Sequence, residues 1–226
     1  MNERDKQFLG VSPEVAAGTA GYTEQALRMY DQVVLNIIAR HLWKCPNEEI
    51  LAMYNAHISE NHLDVGIGTG YFLDKCRFPS AHPKITLSDL NPQCIDYVSK
   101  RIRRYTPQSC IANVLEPLPL PPASFDSIGL NYVLHCLPGP MLRKCAALRN
   151  LRLLLKEGGV LFGATLLPGD WSPGLITKGA MRFFNFKGYF SNLDDSRAEL
   201  QAELQASYQR ASVRMVGGMA LFVAYA

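Results

Sequence analysis

The sequence predicts an α/β fold: seven strands in a mostly parallel sheet, helices on both faces and an antiparallel hairpin at the end. Three observations predict it. Short apolar segments alternate with amphipathic helical segments from residue 62 to 167. A glycine-rich turn, Gly66-Ile67-Gly68-Thr69-Gly70, joins the first strand to the helix that follows. Two apolar runs flank Gly217-Gly218 near the C-terminus, as in a hairpin.

Composition sets the bounds. The chain has 226 residues, 48% of them hydrophobic, which suits one domain with its own core. Lys and Arg number 23 against 20 Asp and Glu, and so small an excess gives no electrostatic footprint for nucleic acid or for acidic lipid. The N-terminus is charged and lacks the apolar stretch of a secretion signal, and no apolar run reaches the roughly 18 residues of a membrane span. We therefore expect a soluble, cytoplasmic protein. The six cysteines are scattered without Cys-x-x-Cys or zinc-finger spacing, so they read as buried free thiols and no metal is expected.

The elements follow in order. Residues 1–20 are polar and small and read as a mobile arm. Thr23 to Trp43 carries apolar residues at helical spacing. Pro46 opens a second helix, with Glu48 and Glu49 in its first turn. Strands are expected at 62–65, 84–89, 109–114, 125–130 and 160–167. Helices are expected at 71–78, from Pro92, and at 141–155, the last stopped by Gly158-Gly159. The proline-rich stretch 116–122 reads as a loop. Residues 168–190 are rich in Gly, Pro and aromatics. A helix is expected over 193–209 with Asn192 as its cap, then the hairpin of 212–216 and 219–225.

The glycine turn is neither a dinucleotide fingerprint nor a P-loop. The third glycine of G-x-G-x-x-G would fall on Tyr71 or Leu73, and no Gly-Lys-Ser/Thr follows. The pattern is G-x-G-x-G preceded by Asp64. Asp89 ends the second strand 19 residues after Gly70, where a carboxylate can accept hydrogen bonds from a ribose diol.

Leu63-Asp64-Val65-Gly66-Ile67-Gly68-Thr69-Gly70 and Leu87-Ser88-Asp89-Leu90-Asn91-Pro92 resemble the first two motifs of the class I S-adenosylmethionine-dependent methyltransferases. Asn113-Val114, Ser124 to Asn131 and the Glu157-Gly158-Gly159 turn are similar to later motifs of that family. Among its members, the chain resembles small-molecule enzymes of the quinone-biosynthesis type. The resemblance implies a Rossmann-like class I methyltransferase fold that binds S-adenosylmethionine and releases S-adenosylhomocysteine. It implies cofactor contacts from Tyr30, Asp64, Gly66, Gly68, Gly70, Asp89, Leu90, Asn113, Val114 and Asn131. The expected organisation is a helical cap (1–60), a cofactor-binding core (61–167), a substrate lid with its helix (168–211) and a closing hairpin (212–226).

His135 follows the fourth strand, where acceptor and methyl group are expected to meet, and is the candidate general base; Tyr132 is its candidate companion. The aromatics of 171–190 suit a flat, apolar acceptor. The expected reaction is methyl transfer to a small aromatic or polyketide-like hydroxyl, with carbon or nitrogen as other acceptor atoms. The alternative is a methyltransferase-fold protein that binds the cofactor without methylating. Lys100, Arg101, Arg103 and Arg104 form a basic run read as a solvated face. No Asn/Asp-Pro-Pro-aromatic motif follows the fourth strand, so no nucleic-acid partner is expected. The oligomeric state stays open, a homodimer included.

Overall fold

The protein is described from a computed structural model, covering residues 11–15, 27 and 29–226. Two long helices lead in: α1 (Asp31–Leu42), wound with the wide π-helical pattern, and α2 (Asn47–His57). The alternating unit follows as β1 (Asn61–Val65), α3 (Tyr71–Lys75), β2 (Lys84–Asp89), α4 (Pro92–Arg101) and β3 (Gln108–Ile111). Then come β4 (Phe125–Asn131), α5 (Met141–Leu154), β5 (Leu155–Leu166), α6 (Leu175–Phe186), α7 (Arg197–Ser207), β6 (Arg210–Val216) and β7 (Met219–Tyr225).

The sheet order is β3-β2-β1-β4-β5-β7-β6. The first five strands are parallel, and β7 runs antiparallel to both β5 and β6. The strand order reverses between β1 and β4. A crevice therefore opens at their C-terminal ends, where open α/β sheets receive ligands. One apolar layer packs α5 and α7 on Leu63, Ile128, Leu130 and Leu161; the other packs α1 to α4 on Ile85, Leu87, Phe162 and Ala164. This doubly covered arrangement explains why the parallel strands are apolar along both faces.

Several boundaries differ from expectation for local reasons. The first helix was expected from Thr23, but residues 23–26 and 28 lie outside the described residues. So does the arm of 1–20, apart from 11–15. There Pro13 to Val15 form a helical turn and Val15 is buried. β3 stops at Ile111 because Asn113 Oδ1 accepts the Leu115 amide at 3.1 Å and turns the chain. β5 starts at Leu155 rather than 160, since Leu155 pairs with Phe125. Gly158-Gly159 therefore does not end α5. Those two residues bind the C-terminus instead, through Gly158 N to Ala226 O and Ala226 N to Gly159 O. α7 starts four residues later than expected. Its cap is Ser196, whose Oγ accepts the Glu199 amide and donates to Glu199 Oε2 at 2.8 Å.

Asn192 and Asp195 are thereby free for other work. Asn192 donates to Leu166 O at 2.9 Å, and Asp195 forms a buried ion pair with Lys144 of α5. Lys144 also donates to Ser191 O. Removing one partner of such a buried pair costs about 3–5 kcal/mol, because the other charge is left uncompensated. The pair thus fixes the chain segment that returns from α6. Four cysteines are buried and two half-buried, all as free thiols. Among the described residues no helix is long and apolar enough to cross a membrane.

Candidate active site

The glycine turn leaves β1 with Gly66, Gly68 and Gly70 all in the left-handed region. Each has a distinct reason to be glycine. A Cβ on Gly66 would lie 2.2 Å from Val133 Cγ2, and one on Gly70 would lie 2.6 Å from Val98 Cγ1. A Cβ on Gly68 would meet nothing within 4 Å and would project into the open crevice. Gly66 and Gly70 thus let the turn pack closely, while Gly68 leaves room for a ligand.

Beneath the turn lies a buried polar chain. Tyr54 of α2 donates to Asp64 Oδ2 at 2.7 Å and accepts from Asn131 Nδ2 at 3.1 Å. His62 Nε2 stands 3.3 Å from the same Asp64 oxygen, and its Nδ1 is 2.8 Å from Ser127 Oγ. Burial and the neighbouring Asp64 push the Tyr54 phenol well up, so it remains a donor. Asn131 Oδ1 is buried and has no partner among the described residues.

Two clefts meet at the turn. The first is lined by Gly66, Gly68, Asp89, Leu90, Asn113 and Val114. Burial pushes the Asp89 carboxyl up to about 6, against the backbone amides of Asn91, Ile67, Gly68 and Leu90, which favour its charged form. Asp89 Oδ1 accepts the Asn91 amide at 2.8 Å, while the cap of α4 is Asn91 itself. Asp89 is therefore not the helix cap. The second cleft is lined by Tyr30, Asp64, Gly66, Gly68, Gly70 and Asn131. All ten residues expected to hold the cofactor border one of these two clefts.

α1 is tied to the turn by charge. Thr69 Oγ1 donates to Asp31 Oδ1 at 2.5 Å; Arg101 Nη1 donates to Asp31 Oδ2 at 2.7 Å and to Thr69 O at 3.1 Å. Arg104 pairs with Asp74 at 2.7 Å. The basic run is thus not simply solvated: Arg101 and Arg104 are engaged with acids.

A third cavity, of about 350 Å³, lies between α1 and α6. Its wall is apolar and aromatic, with Tyr30, Trp43, Phe184, Tyr189 and Phe190, and among the described residues no charged side chain lines it. Tyr132 borders all three spaces. It holds φ +59°, which is costly for a bulky residue and persists only where the surroundings impose it. Its hydroxyl is buried without a partner among the described residues, and burial keeps its pKa well above the ordinary phenol value.

His135 lines the same cavity. Its Nδ1 accepts the Leu166 amide at 3.2 Å and lies 3.3 Å from Thr165 Oγ1. Burial, with the Lys144 charge nearby, pushes its pKa down to about 3. The ring is neutral, and with Nδ1 accepting, the proton sits on Nε2. Burial pushes the Cys136 thiol up to about 12, so it offers no thiolate to this cavity. Tyr54, Trp43 and Val133 were missing from the sequence-derived site. None of the three carried a local signal: Tyr54 lies with Ile50 and Met53 on the buried face of α2 and reads as core.

The clefts suit S-adenosylmethionine. Asp89 presents a carboxylate beside the open space over Gly68, and the unpartnered Asn131 Oδ1 offers a buried acceptor where an ammonium could be held. The comparisons agree. A methyltransferase domain family matches residues 63–161. The chain is 37% identical over 215 residues to the demethylluteothin O-methyltransferase of Streptomyces thioluteus, covering 95% of this chain and 94% of that one. It is 34% identical over 209 residues to the physcion biosynthesis cluster O-methyltransferase of Aspergillus chevalieri, covering 92% and 94%. Its fold is similar to the N-methyltransferase NodS of Bradyrhizobium japonicum WM9 solved with S-adenosyl-l-homocysteine, at 16% identity and TM-score 0.61, covering 95% of this chain and 98% of that one. The crevice at the strand switch, the glycine turn and these relatives lead to one conclusion: the chain belongs to the class I S-adenosylmethionine-dependent methyltransferases and is an enzyme of that family.

Proposed function

We infer that the enzyme methylates a hydroxyl on a small, flat, apolar acceptor of aromatic or polyketide-like type. The observation that carries this reading is the 350 Å³ aromatic cavity that shares Tyr132 with both clefts of the glycine turn. Two relatives named as O-methyltransferases, one of them of a physcion biosynthesis cluster, support oxygen as the acceptor atom.

When bound, S-adenosylmethionine supplies an activated methyl group on a sulfonium. The chain's own residues then have three tasks. Asp89, with Leu90, Asn113 and Val114 around it, holds the nucleoside end. Asp64, the glycine turn, Asn131 and Tyr30 hold the amino-acid end. The aromatic cavity excludes water and fixes the acceptor in line, and such orientation supplies up to about 7–11 kcal/mol of barrier lowering.

His135 and Tyr132 serve the acceptor oxygen as donors. His135 has its acceptor nitrogen engaged by Leu166, and a ring held near pKa 3 is a poor proton acceptor. The Tyr132 phenol stays protonated. Two donors in an apolar, water-poor site favour an oxygen that already carries negative charge. The reading therefore favours acceptors that ionise by themselves, phenols over aliphatic alcohols.

The test is to incubate the enzyme with S-adenosylmethionine and a set of planar phenols of graded acidity, and to detect methyl ethers by mass spectrometry. Turnover that rises with phenol acidity is expected. Turnover only of amines, or of aliphatic alcohols in preference to phenols, contradicts it.

A further inference from the structure

Helix α6 is apolar on two opposite faces. Its inner face buries Thr177 and Met181, and Phe184 packs edge-on against Trp43 at 6.3 Å between ring centres. Its outer face exposes Leu175 (87%), Ile176 (83%), Phe186 (86%) and Phe183 (53%). At about 100° per residue these four side chains fall on one arc, with Lys178 and Arg182 along one border. A helix face turned to water is ordinarily polar, so an exposed stripe of this size marks an interaction surface.

Charge selects the partner. Residues 171–193 contain Lys178, Arg182 and Lys187 and no acidic residue. All three cations are exposed, and Lys187 Nζ stands 5.8 Å from the centre of the Phe183 ring. A symmetric contact with a second copy would bring these cations together without acids of the same segment to pair them. A basic helix with exposed Leu, Ile and Phe is the pattern of helices that lie in a membrane interface, with cations at the headgroups and apolar side chains below.

We propose that the outer face of α6 docks this enzyme onto an anionic lipid surface. The same segment supplies Phe184, Tyr189 and Phe190 to the aromatic cavity. Docking would hold that cavity at the bilayer, where an apolar acceptor dissolves. This last consequence rests on the acceptor reading above; the docking itself does not.

The test is flotation of the full chain with vesicles of phosphatidylcholine alone and of phosphatidylcholine carrying phosphatidylserine at roughly three parts in ten. Partitioning onto the anionic vesicles at least about tenfold above the neutral ones is expected, falling as salt rises. Phe186→Glu and the pair Lys178→Glu/Arg182→Glu should each abolish it while the thermal midpoint is kept. The charge pair is wholly at the surface, so it remains informative if Phe186→Glu folds poorly. Equal partitioning onto both vesicles, or unchanged binding by the charge pair, overturns the proposal. So does absence of flotation in a chain that runs as a dimer split by Phe186→Glu, because the face then belongs to a second copy. Flotation needs no methyl acceptor, so its failure leaves the methyl-transfer reading intact.

Discussion

The Tyr54 hydroxyl donates to Asp64 Oδ2 at 2.7 Å and so ties helix α2 to the acid that precedes the glycine turn. The Tyr54 hydroxyl oxygen in turn accepts from Asn131 Nδ2, whose Oδ1 has no partner among the described residues. Tyr54→Phe deletes one atom and strips Asp64 of a buried donor. Loss of such a bond costs about 1–3 kcal/mol. Urea unfolding should show that loss, and calorimetry should show weaker S-adenosylhomocysteine binding, because both Asp64 and Asn131 border the second cleft.

The glycines of the turn should separate by mechanism. Gly68→Ala has open space for its methyl and pays only for the left-handed backbone, roughly 1–2 kcal/mol. Gly66→Ala carries the same backbone strain and in addition drives a Cβ into Val133 Cγ2. Gly66→Ala should therefore be the less stable of the two in denaturant titrations. Adding Val133→Ala should restore part of the loss in Gly66→Ala and none in Gly68→Ala. Cofactor affinity should fall in Gly68→Ala although it folds.

Asp89 gives a pH signature. Burial raises its carboxyl to about 6 from the ordinary 3.8, so the folded chain favours the protonated form. That contribution to stability is complete below about 3.8 and is lost as pH rises through about 6. On the proposal that Asp89 holds the ribose, cofactor binding should run the other way, because the charged carboxylate is the better acceptor for a diol. Affinity measured by calorimetry should strengthen as pH rises through about 6, and Asp89→Asn should flatten that dependence.

His135 should leave no mark of its own on the pH–rate profile near neutrality. Its pKa lies near 3, so its neutral form stabilises the fold above about 6.5 and that contribution is lost as pH falls toward 3. His135→Gln should slow methyl transfer without moving the profile, which should follow the ionisation of the phenol. A loss of about 10²–10⁴-fold together with a vanished basic limb is the mark of a general base, and contradicts the donor role.

The site divides into what local spacing reveals and what only folding brings together. That Gly66, Gly68, Gly70 and Asp89 would meet at one crevice was legible because each sits at a fixed distance from a strand end in its own βα unit. Tyr54 was not. It lies on a helix whose apolar periodicity hides it, and its partners Asp64 and Asn131 come from two strands. Lys144 shows the same limit: nothing in α5 signals that Asp195, 51 residues on, will bury with it. The start of α7 was legible and misread, since Ser196-x-x-Glu199 is a capping box and Asn192 is not part of one. The hydrogen bond at His135 Nδ1 could not be read from sequence either, because the Leu166 amide that donates it comes from the neighbouring strand.

The most direct measurement is calorimetric titration of S-adenosylhomocysteine into the wild-type chain and into Asp89→Ala, with thermal unfolding of both. At ligand about 100 times its Kd the wild type should gain roughly 2.7 kcal/mol of stability. Asp89→Ala should keep the fold and lose most of the binding. Equal affinity in the two proteins would contradict the assignment of the cofactor to the crevice at the C-terminal ends of β1 and β4.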